Sequence, residues 1–177
     1  MAAQLSLFAY IGSKLRVLPP REEPLPVIEV SIESIVGEEP QLQRIWDSLL
    51  EHYFPERADL TDYRVLWSKR RQKRTLAACH IEKRKVVVAK ELCHPKWERW
   101  LDPLLYHEMC HAVIGEKPEI RNGKRLWHGP QFRALERRHP GIQEFDRWIR
   151  EGGWLSAVRS ARSREYHARK KSRGSCQ

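Results

Sequence analysis

The sequence is poor in cysteine and has no long apolar run. Its four cysteines form no CxxC pair, which argues against a four-cysteine zinc ribbon and a disulfide framework. Reduced thiols in a cytosolic protein fit this usage better. No stretch has the length and apolarity of a membrane span. The N-terminal LSLFAYIG has no basic segment before it and no clear cleavage site after it. We therefore expect a cytoplasmic protein without a signal peptide or membrane contact.

Positive charge, in contrast, is abundant. The 177 residues hold 33 Lys and Arg against 23 Asp and Glu, which gives a formal net charge of +10. Such a balance does not set a fold, but it favours contact with polyanions, of which nucleic acid is the commonest. A solvated basic surface without a partner explains the same charge, so composition alone does not choose between the two interpretations.

The chain divides into an arm, a folded region and a basic tail. Residues 1–40 carry five prolines and no clear period, so we expect a partly extended arm. Apolar residues at helical spacing from Gln41 predict a helix that Pro55 ends. From Arg159 onward Arg and Lys dominate and Glu165 is the only acid, which predicts a disordered tail at 159–177. The folded domain is therefore expected at 41–158.

Three short segments of high β-propensity follow the first helix. They are Tyr63–Trp67, Thr75–Ile81 and Val86–Ala89, and the turn sequence EKRK between the last two predicts a hairpin. Helical patterns dominate the remainder, apart from a polar loop at 116–127. The predicted fold class is therefore α+β, with a small and mostly antiparallel sheet.

The pentapeptide HEMCH carries the candidate chemistry. Asp102–Pro103 predicts a helix start and Gly115 a helix end, which together place the pentapeptide on a bounded helix. His107 and His111 then lie one turn apart on one face and can share a tetrahedral zinc ion. Glu108 can reach a metal-bound water and act as the base in peptide hydrolysis. The alternative is a helix with two surface histidines and an acid.

Catalytic zinc takes three protein ligands and leaves one position open, so a third ligand must come from elsewhere. The metzincin pattern needs Gly at position 114 and His at position 117, where this chain has Ile114 and Lys117. His128 precedes Gly129–Pro130 at a helix entrance and can point back over the neighbouring helix. The downstream candidates are Glu116, Glu119, His128, Glu136, His139 and Glu144.

The sequence LLYHEMCHAVIG followed by WHGPQF resembles the SprT-like domain, the metalloprotease module of the Spartan family. In that family an HExxH helix precedes a histidine in an HGxxF segment. The resemblance implies a zincin-like fold with closing C-terminal helices, and one zinc ion held by His107, His111 and His128, with Glu108 as the catalytic base. It also implies an endopeptidase acting on DNA-associated or DNA-crosslinked proteins. A general zinc peptidase and a non-catalytic zinc-containing DNA-binding module are the alternatives.

Two basic segments flank the candidate strands. We expect them, together with the basic residues of the 159–177 tail, to contact DNA phosphates without sequence preference, since Spartan-type proteases degrade proteins crosslinked to DNA. Solvated loops are the alternative interpretation. The segments consist of Lys69, Arg70, Arg71, Lys73 and Arg74, and of Lys83, Arg84 and Lys85.

A short peptide near the N-terminus suggests a further partner. QLSLF at residues 4–8 resembles the peptide by which bacterial proteins dock on the DNA polymerase sliding clamp. In that interpretation Gln4 binds in a small polar pocket and Leu7 and Phe8 fill an apolar one, with Leu5 part of the same peptide. Packing on its own domain is the alternative. A bacterial source would make the protein nucleoid-associated.

Overall fold

The computed structural model describes residues 4–6, 40–115, 119–121 and 123–174. Helix α1 (Pro40–Tyr53) buries one apolar face through Leu42, Trp46, Leu49 and Leu50, so the helix predicted from Gln41 is confirmed. Three short 3₁₀ helices lie at Ala58–Leu60, Lys90–Leu92 and Pro95–Trp100. In the described part of the chain, no helix combines the length and apolarity needed to cross a membrane.

A small mixed sheet packs beside α1. Its strands are β1 (Gln4–Ser6), β2 (Arg64–Trp67), β3 (Ala77–His80) and β4 (Lys85–Val88), in the order β1-β3-β4-β2. The predicted hairpin is β3 with β4, and β1 also pairs antiparallel with β3. β2 instead lies parallel to β4. β4 lies between β3 and β2 in the sheet, so β2 and β3 follow each other in the chain without pairing. The expected antiparallel character therefore holds for two of these three pairings.

Helix α2 (Leu101–Ile114) packs against β3 and carries HEMCH. Every residue from Pro103 to Ala112 is buried, so α2 is a central helix covered on all sides. It ends at Gly115, whose φ of +73° is a left-handed conformation that glycine adopts without a steric penalty. Its start differs from the prediction. Asp102 lies inside the first turn and bonds His139 instead of capping the helix.

A hairpin and further helices follow α2. Strands β5 (Glu119–Arg121) and β6 (Lys124–Leu126) pair antiparallel where a polar loop was expected. Helices α3 (Pro130–Glu136) and α4 (Ile142–Arg150) come next. The chain then turns at Gly152, and the last helix begins at Gly153, where an added Cβ would lie 2.0 Å from Nε1 of Trp148. A side chain at that position would displace the indole, so glycine is required.

Helix α5 (Gly153–Gly174) corrects the prediction of a disordered tail. It runs without a break across the domain boundary expected after residue 158. Trp154 and Ala157 are buried, and further along the helix Glu165 forms an ion pair with Arg71. These tertiary contacts, together with the good helix propensity of Arg and Lys, keep helical a segment whose composition alone predicted disorder.

The predicted arm is described only at β1. Residues 1–3 and 7–39 lie outside the described part of the chain, and so do Leu7 and Phe8 of the candidate docking peptide. The other residues of that peptide belong to β1, which places Leu5 opposite Cys79 in the strand register.

Candidate metal centre

Three histidines converge beside α2. His107 and His111 come from α2 itself, and His128 comes from the segment between β6 and α3. One ring nitrogen of each lies within 4.8 Å of the others, and Nε2 of His111 is 3.1 Å from Nε2 of His128. Two nitrogens on one tetrahedral zinc lie about 3.3 Å apart, given bonds of about 2.0–2.1 Å. The three predicted ligands therefore meet at a spacing that suits one metal ion.

Phe132 holds the three rings in place. Its side chain is buried, and its ring centroid lies 5.0, 4.5 and 4.7 Å from those of His107, His111 and His128. Because α3 begins at Pro130, its first turn brings Phe132 back against the histidine that precedes the helix. The HGPQF segment thus supplies a candidate ligand and the apolar ring that packs against it.

One polar atom at the centre has no partner among the described residues: Nε2 of His107 is buried without a hydrogen bond. The Glu108 carboxylate is fully buried as well, with the backbone of Cys79 as a hydrogen-bond partner. A buried polar group left unpaired costs about 1–3 kcal/mol, so this arrangement needs a compensating ligand. A metal ion at Nε2 would satisfy this nitrogen. Three imidazole nitrogens are a donor set that suits zinc.

Burial also sets the protonation states at the centre. It lowers the pKa of His111 well below its usual range and that of His128 to about 4, and the nearby His107 adds to both shifts. Neutral imidazole is the form that binds a metal. Burial raises the pKa of Glu108 to about 7, although His107 and a backbone hydrogen bond with Cys79 oppose the rise. A carboxyl group that titrates near neutrality suits proton transfer in both directions.

Glu136 hydrogen-bonds Nδ1, the second ring nitrogen of His107. Its Oε1 lies 2.5 Å from Nδ1 of His107. Burial acts to raise the pKa of Glu136, but opposing effects, led by the hydrogen bond with His107, outweigh it and the pKa is lowered. Glu136, a candidate third ligand by sequence, therefore bonds a candidate ligand instead. Its spacing of four from Phe132 was the available signal, because that spacing places both side chains on one face of α3.

The remaining candidate ligands lie elsewhere. Nε2 of His139 is 2.6 Å from Oδ2 of Asp102, and Glu144 forms an ion pair with Arg99 at the surface. Glu116 and the side chain of Glu119 lie outside the described part of the structure.

Comparison with known families assigns the domain. The SprT-like family model matches residues 42–148, more than half of the chain. The chain belongs to the SprT-like family. The matched segment of this SprT-like domain includes the three histidines, Glu108 and Glu136, whereas β1 and α5 fall outside it. Searches of curated proteins and of solved structures gave no significant match.

The two basic segments of the SprT-like domain lie at opposite ends of β3. Residues 69–74 precede this strand and residues 83–85 follow it, so about 13 Å of strand separates them at 3.3 Å per residue. Their side chains are exposed or half-exposed, and Arg84 forms an ion pair with Asp62. The structure therefore does not join the two segments into one patch.

The first basic segment meets α5 instead. Arg71 forms an ion pair with Glu165 of α5. A cavity of about 360 Å³ lies between the loop and the helix, with Lys73 and Arg162 in its lining. The backbone N–H of Gln72 donates to a buried carboxylate 2.9 Å away on Glu91, which fixes the loop. The sequence did not anticipate this shared basic surface, because α5 was expected to be disordered.

The outer strands of the sheet are β1 and β2. β1 covers the outer edge of β3, the strand that packs on α2. Cys79 of β3 lies close to the candidate base, since its backbone hydrogen-bonds the Glu108 carboxylate. Burial, and then the charge of Glu108, raises the pKa of the Cys79 thiol. At the opposite edge the side-chain oxygen of Gln43 accepts the backbone N–H of Val65 at 3.2 Å. The edge nearer Glu108 is thus the one that a short strand of the same chain covers.

Proposed function

We propose that this SprT-like chain is a zinc endopeptidase that cleaves proteins bound or crosslinked to DNA. The convergence of three histidine nitrogens beside the buried Glu108 carries this proposal. A helix with HEMCH packed on a small sheet, and a third histidine from a later segment, also support a zincin-like architecture. The net charge of +10 supports the link to DNA.

The chemistry follows from the placement of the side chains. His107, His111 and His128 would hold the zinc, which when bound supplies Lewis-acid polarisation of a peptide carbonyl and of the attacking water. Glu108 accepts the proton of that water and later donates it to the leaving amine. Its pKa of about 7 allows both transfers near neutral pH.

A peptide substrate would bind in extended form along the outer edge of β3. Backbone pairing with a strand tolerates many side-chain sequences, and a protease of diverse crosslinked proteins needs that tolerance. β1 now occupies this edge, so it must leave before a substrate can pair there. A variant lacking residues 2–8 should cleave an unstructured peptide faster than the full chain. Adding the missing segment as a free peptide should slow it again. Equal rates with and without residues 2–8 would exclude this edge as the substrate site.

DNA would contact the exposed basic side chains of the 69–74 loop and of α5, with the 83–85 turn as a separate contact. A double substitution of Lys73 and Arg162 by Glu should weaken binding and flatten its salt dependence, because each lost phosphate contact removes about 0.7–0.9 from the log–log slope. Substitution of Lys83 and Arg84 by Glu is the matched control at the other end of β3. A larger loss from the control pair would reassign the principal contact.

Docking on a sliding clamp through Gln4, Leu5, Leu7 and Phe8 is a separate proposal that rests on the sequence QLSLF. The peptide cannot bind a clamp and pair with β3 at once, since β1 contains its first residues. The double variant Gln4→Ala with Phe8→Ala should lose clamp binding in a direct binding assay, and binding equal to that of the wild type would exclude the docking.

The deciding experiment is cleavage of a DNA-binding protein by the zinc-loaded chain, with and without single-stranded DNA. We expect DNA to stimulate cleavage, and Glu108→Gln to retain zinc while cleavage falls about 10²–10⁴-fold. Cleavage that persists in Glu108→Gln would reject the assigned base. Cleavage that single-stranded DNA does not stimulate would indicate a general peptidase. A wild type that binds zinc but does not cleave would indicate a binding module.

A further inference from the structure

A buried carboxylate bonds one of the candidate zinc ligands from outside the cluster. Among the described residues, the possible ligands that converge are the three histidines, and Glu136 is not one of them. Its Oε1 instead lies 2.5 Å from Nδ1 of His107, and both side chains are buried. We propose that Glu136 is a positioning residue that orients His107 so that Nε2 faces the metal. This inference rests on the proposed zinc site.

The chemistry of the pair selects one tautomer of His107. An ionised carboxylate only accepts hydrogen bonds, so Nδ1 carries the proton and donates it to Glu136. Nε2 then keeps its lone pair, and this is the atom that lies buried without a hydrogen bond among the described residues. A carboxylate on the far side of the ring also makes a ligand imidazole more basic and thus a stronger donor to the metal.

Helix α3 holds Glu136 firmly in place. The hydroxyl of Tyr106, which precedes His107, donates to the carbonyl oxygen of Leu135, which precedes Glu136, at 2.9 Å. Two consecutive residues of α2 thus bond two consecutive residues of α3. Phe132, one turn earlier on α3, packs on the His107 ring at 5.0 Å between centroids. The ring of His107 therefore cannot turn without disturbing this contact between the helices.

A second pair on α2 provides a matched control. Asp102 and His139 also form a histidine–carboxylate contact, at 2.6 Å, but His139 is not in the metal cluster. Asp102→Asn and Glu136→Gln remove the same charge from the same kind of pair and preserve side-chain shape. If Glu136→Gln weakens metal binding and Asp102→Asn does not, the effect therefore arises at His107 and not from a general loosening of α2.

The test is zinc affinity by chelator competition, combined with NMR of the His107 ring nitrogens in the metal-free protein. We expect Glu136→Gln to weaken zinc binding about 10–100-fold, and Asp102→Asn to leave it within about twofold of the wild type. The Nδ1-protonated form of His107 should dominate in the wild type and give way to a mixture in Glu136→Gln. Glu136→Asp should recover part of the affinity because it restores the charge.

The outcomes separate this inference from the proposed function. A wild type that does not bind zinc would overturn both. Normal zinc affinity and an unchanged His107 tautomer in Glu136→Gln, with a wild type that binds zinc and cleaves, would overturn the positioning role alone. Equal losses of affinity in Glu136→Gln and Asp102→Asn would also overturn it. If Glu136→Gln fails to fold, Glu136→Asp serves as a partial loss, because its shorter side chain holds the carboxylate farther from Nδ1 of His107. Full wild-type affinity and an unchanged tautomer in Glu136→Asp would then overturn the positioning role.

Discussion

Helix α2 makes two histidine–carboxylate pairs of almost the same length, and they belong to different parts of the molecule. The His107–Glu136 contact is 2.5 Å long and the His139–Asp102 contact is 2.6 Å long. Both connect α2 to a later segment of the chain, and both involve a buried histidine. The length of the pair therefore says nothing about which one serves a metal centre.

The second ring nitrogen makes the distinction. Nδ1 of His139 accepts the backbone N–H of Gly141 at 3.1 Å, so both nitrogens of this ring are used within the protein. Nε2 of His107 is buried without a protein partner among the described residues. A histidine whose two nitrogens are satisfied stabilises the fold, whereas a buried ring with one open nitrogen can bind a ligand.

Solvent sharpens the contrast. The Asp102 side chain is 53% exposed and the Glu136 side chain 12% exposed. Water and salt screen the charge of Asp102, and water can replace its hydrogen bond if the side chain is removed. Water reaches Glu136 much less, so neither screening nor a replacement hydrogen bond is available there. The charge of Glu136 should therefore affect His107 more than the charge of Asp102 affects His139.

The largest expected effect comes from removing each histidine in turn. His107→Ala should abolish zinc retention and lower affinity by more than the roughly 10–100-fold expected from a supporting residue, since a direct ligand is lost. His139→Ala should keep zinc and lower only the free energy of unfolding. Metal content after dialysis, with denaturant unfolding of the zinc-free proteins, measures both. Loss of zinc in His139→Ala would break the comparison.

Removal of the exposed carboxylate should have a moderate effect. Asp102→Ala leaves Nε2 of the buried His139 without its partner, and an unsatisfied buried donor costs about 1–3 kcal/mol. Because Asp102 is half exposed, we expect the lower end of this range in denaturant unfolding. Zinc affinity should not change. A fall in affinity as large as the fall in stability would mean that the two pairs are coupled.

Tyr106→Phe tests the residue that touches both regions. Its ring lies 4.9 Å from that of His139, and its hydroxyl bonds Leu135 next to Glu136. Loss of one hydrogen bond should lower the free energy of unfolding by about 0.5–1.5 kcal/mol. Zinc affinity should fall slightly, because α3 is held less firmly. An affinity loss as large as that of Glu136→Gln would assign the orientation of His107 to the helix contact rather than to the carboxylate.

Lowering the pH should reduce the free energy of unfolding of the zinc-free protein. We expect this to be the smallest of the effects, because the histidines and Glu108 change stability in opposite directions. Burial lowers the pKa of His80, His111 and His128 in the folded chain, the last to about 4. The unfolded chain therefore binds more protons than the folded chain below about pH 6.5, so these histidines reduce stability as the pH falls. Glu108 acts in the opposite sense, because its pKa of about 7 favours the protonated folded form.

Denaturant unfolding of the zinc-free protein between pH 7.5 and pH 5, at roughly half-unit steps across the ordinary histidine pKa, measures the balance. Stability should fall toward acid, and it should fall more steeply in Glu108→Gln, which lacks the opposing carboxyl group. Identical slopes in the two proteins would show that Glu108 does not titrate in this range.

The sequence predicted the local arrangement of the candidate site well. The spacing of four between His107 and His111 places both rings on one face of any helix, and Gly115 stops that helix in the expected place. HGPQF also predicts its own local structure, because Pro130 starts a helix two residues after His128. These features depend on backbone preferences over a few residues, so they can be derived without the rest of the fold.

Other features depended on segments that are far apart in the chain. Glu136 lies 29 residues from His107, and its spacing to Phe132 did not show whether it would bind a metal or a histidine. The parallel pairing of β2 with β4 and the helical state of α5 were likewise decided by contacts with other elements. Local composition even favoured the opposite outcome for α5.

The sequence by itself determined that His107 and His111 could share a metal and that Glu108 could act as the base, because helix periodicity sets their directions. The third ligand stayed open among six residues, and the family resemblance pointed to His128. Only the tertiary structure decided which nitrogen of His107 stays open. That choice depends on where α3 packs against α2, and helix packing is a property of the whole core rather than of one segment.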